Sequence, residues 1–119
     1  MKPQHHPLKH LWYATQWSFA GFKAAWQYEQ AFRIEIIASF CIVPLAFYLG
    51  DTAVEQVLLL GAWLLVIIVE LLNSAIEATV DRISPEYHEL SGRAKDLASA
   101  AVFLCNITFV STWAILLLH

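Results

Sequence analysis

Residues 97–118 form a run of 22 residues without a single charged side chain. As a helix rising 1.5 Å per residue this run is about 33 Å long, enough to cross the hydrocarbon core of a bilayer. Backbone N–H and C=O groups have no water to bond in that medium, so such a segment must close its hydrogen bonds internally. Two further apolar runs follow the same logic, over residues 34–49 and 54–80. Apolar residues make up 59% of the chain and charged ones 14%, against roughly 45–50% and 25% in soluble domains. That balance excludes a soluble fold, and 119 residues leave room for one domain. The expected architecture is an all-α membrane protein with three transmembrane helices.

An amphipathic surface helix is expected ahead of the first span. Residues 1–7, with Pro3, Pro7 and the His5, His6 pair, read as a frayed end. Over residues 8–32 the pattern is helical: Leu8, Trp12, Thr15, Phe19, Phe22 and Trp26 share one face, edged by Lys9, Gln16 and Lys23. Such a face suits the membrane interface. Ala14, Ser18, Gly21 and Ala25 form a second face, small enough for another helix to approach closely. Pro44 removes a backbone donor inside the first span and is expected to kink it. Gly50, Asp51 and Thr52 read as a turn. Ser84 and Pro85 read as a stop or a fresh helix start, Gly92 as a further break, and the third span as residues 93–118. Cys41 and Cys105 sit within apolar runs and read as small buried hydrophobes. No cleavable signal fits, so the first span acts as its own insertion signal.

Charge placement sets the orientation. Lys2, Lys9, Lys23 and Arg33 precede the first span, Arg82, Arg93 and Lys95 lie between the second and third, and the first connector has none. The positive-inside rule then makes the N-terminus and the 82–95 connector cytoplasmic.

The second span ends in a polar stripe. Glu70, Asn73, Glu77 and Asp81 fall within about 80° of one another on a helix. Ionisable groups in a membrane helix are expensive and mark functional sites. Glu70 lies seven residues before Glu77, about 10.5 Å deeper along the axis. Burial disfavours the charged form of a carboxyl group, which can poise it as a general base near neutral pH. A base at that depth can reach the hydroxyl of a lipid whose head group lies just inside the interface. The shallower Glu77, with Glu29 at the mouth of the first span, suits Mg²⁺, a hard cation that keeps water ligands and bridges to phosphates. Lys95 and Arg93, opposite, could neutralise phosphoryl oxygens. This combination matches phosphoryl transfer onto a lipid.

Other readings compete. Glu70 could be protonated and bonded to a neighbouring helix, with Asn73 as interhelical glue. That leaves a stripe of four polar residues facing basic partners without a purpose. A proton-coupled transporter needs access from both sides, whereas this stripe opens on one, and Arg93 and Lys95 oppose a cationic solute. A subunit that only assembles other membrane proteins leaves the carboxylates unexplained. No GxxxxGK[ST], HRD or DFG string is present, so the residues alone do not reach a nucleotide. Three spans are few to enclose the stripe, and Ala94, Ala98 and Ala101 offer a close-packing seam for neighbouring subunits.

The strings ELLNSAIEATVDR (residues 70–82) and EYHELSGRAKDLASAAV (residues 86–102) resemble the prokaryotic diacylglycerol kinase family. KAAW at residues 23–26 and the Glu29, Ala31, Phe32, Arg33, Glu35 spacing extend the resemblance over nearly all the chain from Gly21 onward. It implies a homotrimer at the bacterial inner membrane that phosphorylates diacylglycerol with ATP and Mg²⁺ in sites shared between subunits. By position, Glu70 resembles the catalytic base, and Glu29 and Glu77 the metal carboxylates, which also meet the nucleotide. Glu86, His88, Lys95 and Asp96 resemble further nucleotide contacts, with Asn73 in support. Lys23, Ala24, Ala25, Trp26, Ala31, Phe32, Arg33, Glu35 and Ser99 resemble lipid contacts, alongside Glu70. His10 and Trp17 stand near the nucleotide where the family often has arginine and tyrosine. Gln56 replaces a basic residue, and Pro44 is unusual in the first span. The retained strings do not separate diacylglycerol from undecaprenol as the acceptor.

Overall fold

The computed structural model describes residues 6–83 and 85–119. Lys2, His5 of the histidine pair and Ser84 lie outside the described residues. Among the described residues the chain is helical throughout: α1 (Pro7–Tyr28), α2 (Gln30–Leu49), α3 (Ala53–Ile83) and α4 (Glu89–Leu118). The last three are long and apolar enough to cross a membrane. Helix α3 is the hub, lying along α4 for most of its length and against α2, while α1 leans chiefly on α2. The core joins all four helices through Ala25, Phe32, Trp63, Val66, Ile67 and Cys105.

Helix ends follow from where backbone groups find partners. His6 Nδ1 accepts the Leu8 N–H at 3.3 Å, and Pro7 takes the first helical position, where no N–H is needed. The helix expected over residues 8–32 is divided: α1 stops at Tyr28, Glu29 is extended (φ −115°, ψ 105°), and Ala31, Phe32 and Arg33 begin α2. Arg33 explains the break. Its Nη1 donates to the Trp26 carbonyl at 2.8 Å and the Gln27 carbonyl at 3.2 Å, satisfying orphan acceptors at the end of α1 from the first turn of α2.

Helix α2 continues through Pro44 to Leu49. Gly50, Asp51 and Thr52 turn the chain. Thr52 Oγ1 accepts the Glu55 N–H at 3.1 Å, and the Glu55 carboxylate accepts the Asp51 N–H at 2.7 Å, a reciprocal arrangement close to a capping box. Gln56 Nε2 donates to the carbonyls of Phe47 and Gly50, closing the end of α2.

Of the two readings of Ser84 and Pro85, the stop agrees with α3 ending at Ile83, and Pro85 starts no helix. Gly92 breaks none, since it lies within α4. Helix α4 begins at Glu89, four residues before the expected Arg93, because His88 Nδ1 caps the Leu90 N–H at 3.1 Å. Gly92 serves packing instead, since a Cβ there would lie 3.1 Å from Tyr87 Cε2.

Two indole groups tie the spans together. Trp63 Nε1 donates to Ser39 Oγ at 2.8 Å, and Trp113 Nε1 donates to the Leu59 carbonyl at 3.0 Å. Buried tryptophan needs such a partner. Phe109 sits between the two rings, with centroids at 5.1 Å from Trp63 and 5.5 Å from Trp113. The alanine seam expected between subunits is partly used within the chain: Ala98 is buried and Ala94 half-buried, while Ala101 is exposed.

Candidate functional site

The core-facing seam of α3 runs Leu59, Trp63 and Val66, all buried and set at alternating four- and three-residue steps, with buried Ala62 beside it. Continuing the same steps reaches Glu70, Asn73 and Glu77. The polar stripe is therefore the continuation of the packing seam, with carboxylates where aliphatic side chains sit further along. Glu70 and Asn73 are half-buried and Glu77 is exposed, so the seam opens outward as it turns polar. Asn73 Nδ2 donates to Glu77 Oε1 at 3.1 Å, which holds the shallower carboxylate on the stripe.

The beginning of α2 brings further carboxylates to it. Glu29, at the break between α1 and α2, makes no capping hydrogen bond with its side chain. It lies close enough to Glu70 for their charges to interact, as does Glu77. Glu35 follows on the α2 face that carries buried Phe32, and its charge also reaches Glu70. Glu35 Oε1 is enclosed without a hydrogen-bond partner. Among the described residues no three His, Cys, Asp or Glu side chains converge on one point. Glu29 and Glu77, the expected metal carboxylates, each lie in charge range of Glu70. Two carboxylates with open water positions fit Mg²⁺, which rarely takes an all-protein cage.

The cation side is more selective than expected. Lys95 Nζ lies 2.7 Å from Asp81 Oδ1 and within range of the Glu77 charge. Arg93 instead pairs with Glu89 on its own helix at 3.6 Å. Asp96 and Ser99 are exposed on α4, and Glu86 lies in the exposed connector before His88. His10 stacks edge-on against Trp17 with centroids at 6.2 Å, and Tyr13 stacks on the same indole. His10 and Trp17 lie roughly 28 Å and 18 Å along α1 from Glu29. One chain does not gather them at the carboxylates.

Beside the stripe, the small-residue face of α1 meets a small-residue face of α3 without closing on it. Ser18, Gly21 and Ala25 look across a cavity of about 550 Å³ at Ser74, Ala75 and Ala78, with Leu71 and Phe22 walling its sides. Glu29 and Ala24 also line it. Lys23 and Trp26, expected lipid contacts, are exposed near it on α1, whereas Phe32 is buried in the core. Ser74, Ala75 and Ala78 carry no motif of their own in the sequence. Their i, i+1, i+4 spacing of small residues was the available signal.

Comparison with known proteins bears on this arrangement. Residues 16–117 match the family model described as prokaryotic diacylglycerol kinase. The chain belongs to the prokaryotic diacylglycerol kinase family. It is 55% identical over 104 residues to a diacylglycerol kinase of Escherichia coli strain K12, covering 87% of this chain and 85% of that one. Identity to the diacylglycerol kinase of Haemophilus influenzae is 50% over 105 residues, covering 87% and 89%. For that of Pseudomonas aeruginosa it is 49% over 111 residues, covering 93% and 90%. The shared region of this family member contains the whole polar stripe, Glu29, Glu35 and Lys95.

Proposed function

We propose that this chain transfers the terminal phosphoryl group of ATP to the free hydroxyl of diacylglycerol, giving phosphatidate and ADP at the bacterial inner membrane. The observation that carries the reading is the half-buried Glu70 on the packing seam of α3, in charge range of both Glu29 and Glu77. Glu70 takes the hydroxyl proton as the oxygen attacks phosphorus, at the depth where a lipid hydroxyl lies. Glu29 and Glu77 would hold Mg²⁺, which supplies charge neutralisation across the phosphate oxygens. Asn73 keeps Glu77 turned toward that position through its 3.1 Å hydrogen bond. Lys95 offsets negative charge on the phosphoryl oxygens.

The apolar cavity between α1 and α3 supports a lipid acceptor. Its volume of about 550 Å³ is within the usual range for a small-molecule site, and Glu29 is among its lining residues. The aromatic group around Trp17 offers the nucleotide a stacking surface. Its separation from Glu29 along α1 supports a site completed by a second chain, as a homotrimer allows. The N-terminus and the connector before α4 lie on the cytoplasmic side in this reading, where ATP is available.

The test is phosphate transfer from labelled ATP to dioleoylglycerol and, separately, to undecaprenol, in mixed micelles with Mg²⁺ and with Glu70→Gln alongside. Label in phosphatidate that the variant loses is the expected result. Label only in undecaprenyl phosphate would overturn the acceptor and keep the chemistry. Transfer to neither lipid by folded protein would overturn the reading.

A further inference from the structure

We infer that Asp81 is a positioning residue for Lys95, holding its ammonium group beside Glu77 so that it meets the phosphates of the nucleotide. The inference rests on the proposed phosphoryl transfer and adds to it a residue with no role of its own so far.

Lys95 and Asp81 are 14 residues apart in sequence, and their 2.7 Å contact bridges the end of α3 and the start of α4. Asp81 follows Glu77 by four residues, about 6 Å along the same helix face. The Lys95 ammonium therefore hangs between a carboxylate that binds it and a carboxylate proposed for the metal. A lysine stem has much rotamer freedom, and an ammonium group has three donors. One contact to a short aspartate stem removes most of that freedom and leaves two donors for phosphate oxygens. Arg93, the neighbouring cation on α4, points to Glu89 at 3.6 Å and not to Asp81. The Asp81 and Lys95 side chains are 66% and 45% exposed, and such solvated pairs contribute little to stability. Fixing the direction of Lys95 is the effect left to the pair.

The experiment compares Asp81→Asn, Asp81→Glu, Lys95→Met and the Asp81→Asn/Lys95→Met double variant in mixed micelles. KM for MgATP and for diacylglycerol is measured in each active protein, and binding of a non-hydrolysable ATP analogue in all of them. Asp81→Asn should raise KM for MgATP about three- to fivefold, the range a solvated ion pair allows, and leave that for diacylglycerol unchanged. Asp81→Glu, which keeps the carboxylate, should recover most of the loss. In the Lys95→Met background, Asp81→Asn should weaken analogue binding no further, because both changes remove one interaction. An unchanged or lowered KM for MgATP in Asp81→Asn, or equal losses in both backgrounds, would overturn the inference. A wild-type chain that binds the analogue but phosphorylates no diacylglycerol overturns the proposed acceptor alone, and analogue binding then decides the cycle. A wild-type chain that binds no nucleotide overturns both.

Discussion

Replacing Ser39 by alanine removes one oxygen atom, and the structure assigns that oxygen two partners. Ser39 Oγ accepts the indole N–H of Trp63 at 2.8 Å and donates to the Glu35 carbonyl at 2.8 Å. The Glu35 carbonyl keeps its place in the α2 backbone, so losing the second contact costs little. Trp63 is only 6% exposed, and its orphaned donor has no water to turn to. An unsatisfied buried donor costs about 1–3 kcal/mol in general. Hydrogen bonds between membrane helices average about 0.6 kcal/mol and reach about 1.7. Ser39→Ala should therefore destabilise the fold by about 1–2 kcal/mol. Trp63→Phe removes the donor itself and thins the contact with Phe109, costing about 1–3 kcal/mol as a large-to-small core change. Once the indole is gone Ser39 has little left to satisfy, so the double variant should be only a few tenths of a kcal/mol worse than Trp63→Phe. The coupling is about 1 kcal/mol. Reversible unfolding by SDS in mixed micelles, followed by helicity, measures all three. Additive losses, or a Ser39→Ala protein as stable as the wild type, would refute the reasoning. Ser39 stands one turn from Glu35, so the same variants probe how firmly α2 holds that carboxylate beside Glu70.

The remaining expectations are shorter. Glu70→Gln should lower kcat by about 10²–10⁴, the usual contribution of a general base, with nucleotide analogue binding retained as the control. Glu77→Gln should raise the Mg²⁺ concentration for half-maximal activity about tenfold, since a carboxylate is the preferred ligand of this cation; a Mg²⁺ titration at fixed ATP reads it. Gly50→Ala would set a Cβ 2.7 Å from Gln56 Cγ and 3.0 Å from two backbone atoms. It should cost about 1–3 kcal/mol of stability as an overpacked turn, seen as an earlier SDS unfolding midpoint.

The membrane class and the polar stripe were legible from the chain because both depend on short-range patterns. An uncharged run of 22 residues constrains its surroundings wherever it lies, and Glu70, Asn73 and Glu77 share a face on any α-helix. The connector was less legible. Gly92 looked like a break by propensity, yet propensity is a weak prior, and the His88 cap with the Tyr87 ring over Gly92 overrode it. The end of α1 is hard to read from the chain for a similar reason, since the signal is Arg33 reaching back to carbonyls six and seven residues earlier.

Sequence alone determined which groups stand on α3, in what order and at what relative depth, since helical geometry fixes these within one segment. Tertiary structure decided which groups meet across helices. Arg93 and Lys95 are two residues apart and looked equivalent as cations. The axial register of α3 against α4, tied by Trp113 on Leu59, gives Lys95 to Asp81 and leaves Arg93 to its own helix. The unfilled space between the small faces of α1 and α3 has the same origin. It depends on the angle at Glu29, where two helix ends and one arginine settle a direction that no local periodicity encodes.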